Sequence, residues 1–196
     1  MTSTESSAPA TQNTLGSLPA APDWRGVHHM ALVTPDMDAT TRFYAGVLGM
    51  PLVLTLMAGP MRHYFFEIAP GNTIAFFEIA DATTFPKGAG GPAPYPVQLD
   101  HLSFHLADED ALRQLQERLR AAGSEVTEIV DHNQMRSIYF TDPNGIALEA
   151  SCWMIDPTGR PLDPSDGRIF ADPDPVPAVG ELAQGGVTAA PVTSLV

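Results

Sequence analysis

HHMALV (28–33), NTIAFFE (72–78), DHLSFHL (100–106) and NGIALE (144–149) are four strand-like runs, each carrying a His or a Glu among apolar residues. His29 and Glu78 lie 49 positions apart; His101 and Glu149 lie 48 apart. The similar intervals and the shared order of runs read as one unit written twice. Successive side chains of a strand point to opposite faces, so such a run can offer a polar group on one face while its other face packs.

Around these runs the two units have the same plan. In the first, HHMALV is a strand and Pro35-Asp36 opens a helix, with Asp36 as N-cap. Met37, Tyr44, Val47 and Leu48 share a helical face, and Gly49 suits the C-terminal cap. PLVLTL, HYFFEI and NTIAFFE then give three strands. FPKGAGGPAPYP (85–96) is a Pro/Gly linker. In the second unit QLDHLSFHL is a strand, and Asp108 caps a helix carrying Leu112, Leu115 and Leu119 that ends at Gly123. EVTEIV, SIYFT and GIALEA follow as strands. The expected fold class is α+β: two βαβββ modules, 24–84 and 97–155, forming a cupped mixed sheet within a domain at 23–155. Residues 1–22, rich in Ser, Thr, Ala and Pro, read as a flexible tail. Residues 156–196 read as a Pro/Asp/Gly-rich extension whose RIF segment (168–170) could dock.

Strand parity sets an expectation for the faces. Ile138, Phe140, Ile146 and Leu148 should pack under the helix, with Tyr139, Ala147 and Glu149 opposite. By the repeat, His29, His63, Phe65, Phe76 and Glu78 should look the same way as Glu149 and Tyr139. One concave face would then be lined with His, Glu and aromatics.

Composition removes some partners. The 196 residues carry 10 Lys and Arg against 23 Asp and Glu, a net charge of -13. Nucleic acids and anionic membranes, which need clustered cations, are not expected partners. The one cysteine, Cys152, allows no intrachain disulfide. No apolar run reaches the ~20 residues of a membrane span, and the N-terminus does not read as a signal peptide. A cytoplasmic protein is the expectation.

A lone His on an apolar strand is usually a hydrogen-bonded core residue. Two carboxylates on apolar strands are harder to explain that way, because unpaired burial costs several kcal/mol. Together the four groups suggest a divalent-metal site. Imidazole and carboxylate suit Fe(II), Ni(II), Co(II), Mn(II) or Zn(II).

HHMALVTPDMDATTRFYAGVLGM (28–50) and IYFTDPNGIALE (138–149) resemble the vicinal oxygen chelate superfamily, which includes glyoxalase I, type I extradiol dioxygenases and the fosfomycin- and bleomycin-resistance proteins. The resemblance covers about 24–155. It implies the glyoxalase/bleomycin resistance/extradiol dioxygenase fold, metal ligands at His29, His101 and Glu149, and a frequent homodimer. Glu78 matches the fourth ligand of glyoxalase I.

VDHNQMRSIYFTDPNGIALE (130–149) resembles the extradiol ring-cleavage signature. That implies Fe(II) on Glu149, with His132 and Tyr139 binding substrate and assisting proton transfer. The expected substrates are an aromatic diol and dioxygen. Asn72 occupies a place where many such enzymes have another active-site His; His63 on the neighbouring strand is the candidate substitute. The other reading is a lactoylglutathione-lyase-type enzyme using Ni, Zn or Co, with Glu78 as a ligand that moves a proton. Arg42, Arg62 and Arg136 are the cations it could offer to glutathione. A metal-free binding or resistance protein would not need this ligand set.

Overall fold

The computed structural model describes residues 19–83, 87–88, 90–91, 98–187 and 193–194. The chain packs as a unit spanning Trp24–Asp156 and a second made of the chain on either side of it. In the second unit, Ile169 and Phe170 line a cleft of about 370 Å³ together with Pro157, Arg160 and Leu162. That unit also holds a short helix, Pro177–Ala183.

The Trp24–Asp156 unit repeats one plan. In the first module β1 (His29–Thr34) leads into α1 (Met37–Thr41), which runs on as a wider π-wound helix over Arg42–Val47. β2 (Leu52–Ala58), β3 (Met61–Ala69) and β4 (Asn72–Glu78) follow. In the second module β5 (Leu102–His105) precedes α2 (Glu109–Ala121), then β6 (Val130–Asp131), β7 (Met135–Thr141) and β8 (Ala147–Trp153). The sheets have equivalent orders, β1-β4-β3-β2 and β5-β8-β7-β6. In each, the first strand pairs parallel with the last and the remaining pairings are antiparallel. The α+β class and the paired modules are as expected.

The helix starts are where the sequence puts them. Asp36 accepts from Ala39 N and Asp108 from Ala111 N, both at 2.9 Å, filling donors that a helix start leaves unpaired. Gly49, at φ +77°, takes the left-handed conformation that ends the first helix. EVTEIV does not form the expected strand. Val126 makes one isolated bridge to Phe140, and ladder pairing resumes at Val130. The Gln116 side-chain amide of α2 donates to Thr127 O at 2.7 Å, so a helix side chain takes a carbonyl the ladder would have used.

Tyr44, Phe66, Ile74 and Phe76 of the first module join Phe104, Leu112, Ile138, Phe140 and Leu148 of the second in one hydrophobic cluster. Polar ties cross the same seam. Tyr44 OH donates to Asp142, and Thr34 Oγ1 lies 2.9 Å from Asn144 Oδ1. Both helix-side faces thus bury against a common core, and each sheet's other face lies on the side away from it. His29, His63 and Phe65 stand on the open face of the first sheet, and Tyr139 and Glu149 on that of the second.

Candidate metal centre

Glu149 is the centre of the second module's open face. It pairs with Tyr139 across the antiparallel ladder and with Ser103 across the parallel one, so all three side chains share a face. Glu149 is buried, 5% exposed. Burial alone would raise its pKa, but hydrogen bonds from Ser137, Ser151, Tyr139 and Ser103 outweigh that and hold it below the usual carboxylate range. Ser151 Oγ lies 2.8 Å from Ser103 Oγ and 3.0 Å from Ser137 Oγ, a row of hydroxyls beneath the carboxylate.

His101 stands just before β5 and reaches the same point. Its Nε2 is 2.7 Å from Glu149 Oε2, and its Nδ1 is 2.6 Å from Asp100 Oδ2. Asp100, held below the usual carboxylate range first by Lys87 and then by His101, is an acceptor, so Nδ1 carries a hydrogen. In neutral His101 the Nε2 lone pair would then face a carboxylate lone pair. Two acceptors do not rest at that distance without a proton or a cation between them. This donor set fits half of a divalent-metal site.

His132 and Tyr139 extend the same network. A tight turn, with Asn133 at φ +69° and His132 N bonded to Met135 O, joins β6 to β7. His132 Nε2 lies 2.8 Å from Tyr139 OH. Burial, then Glu149, pushes the Tyr139 hydroxyl's pKa up, so it remains a donor. His101, Ser103, His105, Met135, Glu149 and Trp153 line an adjoining cavity of about 380 Å³.

The first-module residues divide. His29 lies level with Thr73 of β4, and Phe65 and His63 pair with Ala75 and Phe77. These side chains share the first sheet's open face. The His29 and Phe65 rings are 5.6 Å apart, and His63 stacks on Phe77 at 3.6 Å. His63 Nδ1 bonds Phe76 O at 3.1 Å. His29 Nδ1 lies 2.8 Å from His28 Nδ1.

Phe76 and Glu78 are on the opposite face, which corrects the sequence expectation. Phe76 is fully buried beside Tyr44, and Phe77 takes its place on the open side. Glu78 accepts from Met37 N at the start of α1 at 3.0 Å and forms an ion pair with Arg62. Those two partners, Met37 first, lower its pKa. The register explains the error. His29 is level with Thr73, so the position two residues further on is Ala75. Leu102 is level with Leu148, so His101 is level with Ala147, and two residues further on is Glu149. Ala75 is therefore the counterpart of Glu149, and Phe65 the counterpart of Tyr139. Glu78, three beyond Ala75, corresponds to Cys152. Intervals of 49 and 48 concealed a change of face.

Asn72 also departs from its assigned role. Its Oδ1 accepts from Val27 N at 3.0 Å and its Nδ2 donates to Pro70 O at 3.1 Å, fastening the lead into β1 to the β3–β4 turn. Among the described residues no three His, Cys, Asp or Glu side chains converge on a metal-sized point. His101 and Glu149 meet, while His29 stands on the other sheet. Strand parity could have found all three serines, because Ser103, Ser137 and Ser151 lie two positions from His101, Tyr139 and Glu149. Asp100 had a sequence signal, adjacency to His101; Lys87, inside a Pro/Gly linker, had none.

A sequence model described as "Glyoxalase/Bleomycin resistance protein/Dioxygenase superfamily" matches residues 26–150. The chain belongs to this superfamily. Its members generally use divalent metals. The chain is 26% identical over 137 residues to "Putative ring-cleaving dioxygenase MhqA" of Bacillus subtilis (strain 168). That match covers 61% of this chain and only 41% of the relative, so the chain spans about two fifths of that protein. Among solved structures, a glyoxylase/bleomycin resistance protein/dioxygenase domain from Frankia sp. EAN1pec is 27% identical, with a TM-score of 0.57. The match covers 67% of this chain and 93% of that one. A glyoxalase/dioxygenase from Nostoc punctiforme, 23% identical, shares the fold at a TM-score of 0.54 over 71% of this chain and 99% of its own. No helix among the described residues is long and apolar enough to cross a membrane.

Proposed function

We propose that this superfamily domain is a ring-cleaving dioxygenase of the extradiol type. It would act on a catechol-like aromatic with Fe(II) held by His29, His101 and Glu149. The observation that carries this reading is the unbroken chain of contacts His132–Tyr139–Glu149–His101 beside an open cavity. A ferrous ion there would supply Lewis-acid and one-electron chemistry with positions left open for substrate and dioxygen. Tyr139 orients a substrate hydroxyl beside Glu149, and His132, hydrogen-bonded to Tyr139, takes its proton. The aromatic and thioether walls, Trp153 and Met135, exclude water from a flat ring. Glu78 lies off the metal in this reading, as its bonds to Met37 and Arg62 favour. The first-module counterpart of Glu149 is Ala75, not Glu78, which disfavours the fourth ligand that a lyase site would use.

We further propose that a second copy of the chain completes the metal triad. His29 of one copy would complete the His101–Glu149 pair of the other. The support is that among the described residues no three His, Cys, Asp or Glu side chains converge within one chain. In addition, β2 exposes Leu52, Val53, Leu54, Leu56 and Met57, an apolar strand that a partner could cover. A reducing cytoplasm suits both a ferrous site and a lone Cys152.

The test is anaerobic purification with metal analysis, followed by addition of catechols and oxygen. Near-stoichiometric iron, oxygen uptake and a yellow ring-fission product are expected. Nickel, zinc, cobalt or manganese with no oxygen uptake would overturn the reading in favour of lyase chemistry.

A further inference from the structure

The linker between the modules reaches into the candidate centre through a buried cation. Lys87 has a side chain only 3% exposed. Its stem lies in a cleft with Met30, Leu32, Leu99, Leu102 and Ile146. The ammonium donates to Asp100 O at 3.0 Å and forms an ion pair with Asp100 Oδ2. A buried ammonium without a partner costs several kcal/mol, so this pairing fixes Asp100 although the carboxylate itself is half open to water. The same Oδ2 accepts from His101 Nδ1. A few residues on, Gly90 lies against the Tyr139 ring at φ +70°, where a Cβ would come within 3.2 Å of Cγ. One short linker thus touches residues on two sides of Glu149.

We propose that Lys87 is a positioning residue: through Asp100 it fixes the tautomer and direction of His101, so that Nε2 is presented to Glu149. This rests on the metal-site reading above for its consequence, though not for its geometry. An imidazole whose Nδ1–H is held by a carboxylate is locked in ring orientation and offers only Nε2 as a lone pair. The unusual part is the source of the lock. Asp100 is adjacent to His101, but the charge that holds Asp100 comes from the linker. The joint between the modules therefore also sets the ligand geometry.

The experiment uses the full chain with Lys87→Met, which keeps the apolar stem, Lys87→Arg, which keeps the charge, Asp100→Ala, and the Lys87→Met/Asp100→Ala pair. Long-range proton–nitrogen NMR of metal-free protein, at a pH alkaline enough to leave the imidazole neutral, reads the His101 tautomer, and titration with Co(II) reads metal affinity. Lys87→Met should lose the single Nδ1–H tautomer and bind Co(II) about 10-fold more weakly, and Asp100→Ala up to about 100-fold more weakly. The double variant should be no weaker than Asp100→Ala alone, and Lys87→Arg should recover most of the loss. A folded Lys87→Met protein with the wild-type tautomer and Co(II) affinity would overturn the proposal, as would additive losses in the double variant. If no variant and no wild-type protein binds Co(II), the metal reading fails, and the tautomer alone decides the role of Lys87.

Discussion

Glu149 is nearly dry, yet four hydroxyl groups keep it ionised. Its folded pKa is depressed, so the stability it contributes is complete above the ordinary carboxylate range and is lost as pH falls through the folded value. In metal-free protein, Glu149→Gln should flatten the acid limb of a Tm-against-pH curve. An acid limb as steep as wild type would show that Glu149 is not the group responsible. For the centre itself, His29→Ala, His101→Ala and Glu149→Ala should each lose bound metal by elemental analysis. Full retention by all three would remove the site. Glu78→Gln should keep metal and turnover, because the carboxylate it replaces caps α1 and pairs with Arg62 on the other face. Loss of most of the rate would return Glu78 to the chemistry.

Capping and register act at the scale of the elements. Asp108 starts α2, the helix that carries Leu112 and Leu119 into the core. Asp108→Ala should cost about 1 kcal/mol, seen as a lower urea midpoint with an unchanged slope. These local signals were legible in advance, since a cap and its helix lie within a few residues of each other. The second module's face assignments were legible for the same reason: Ile138, Phe140 and Leu148 are buried, and Glu149 stands opposite them. The first module misled because its last strand was aligned by counting residues. The alignment was off by three residues, and any odd slip turns every side chain over. Phe76 and Glu78 therefore went to the wrong face, while His29, His63 and Phe65 were placed correctly.

At the scale of the whole molecule, assembly supplies the third ligand in the reading proposed above. Mixing and refolding two inactive variants, His29→Ala and Glu149→Ala, gives a decisive readout. If each site draws His29 from one copy and Glu149 from the other, a hybrid dimer holds one intact site and one doubly damaged site. Random assortment then restores about a quarter of wild-type activity, since half the dimers are hybrids and one of their two sites is whole. If His29 and Glu149 serve the same site within one chain, mixing restores nothing. Leu54→Glu with Leu56→Glu on β2 should shift the protein to monomer in sedimentation and lower its metal affinity. A dimer unaffected by both charges would place the interface elsewhere.

The sequence by itself determined the duplicated βαβββ plan, the helix caps and the His101, Tyr139 and Glu149 grouping. The caps follow from short stretches of chain, the plan from the repeat, and the grouping from the repeat together with the family resemblance. Only the tertiary structure decided that Ala75, rather than Glu78, is the counterpart of Glu149. It also decided that a linker lysine stands behind His101, and that the two candidate faces lie away from a shared core. Register, buried pairing and module packing are set by contacts between segments far apart in sequence. Alternation along a single strand says which side chains share a face, but it does not say what that face will meet.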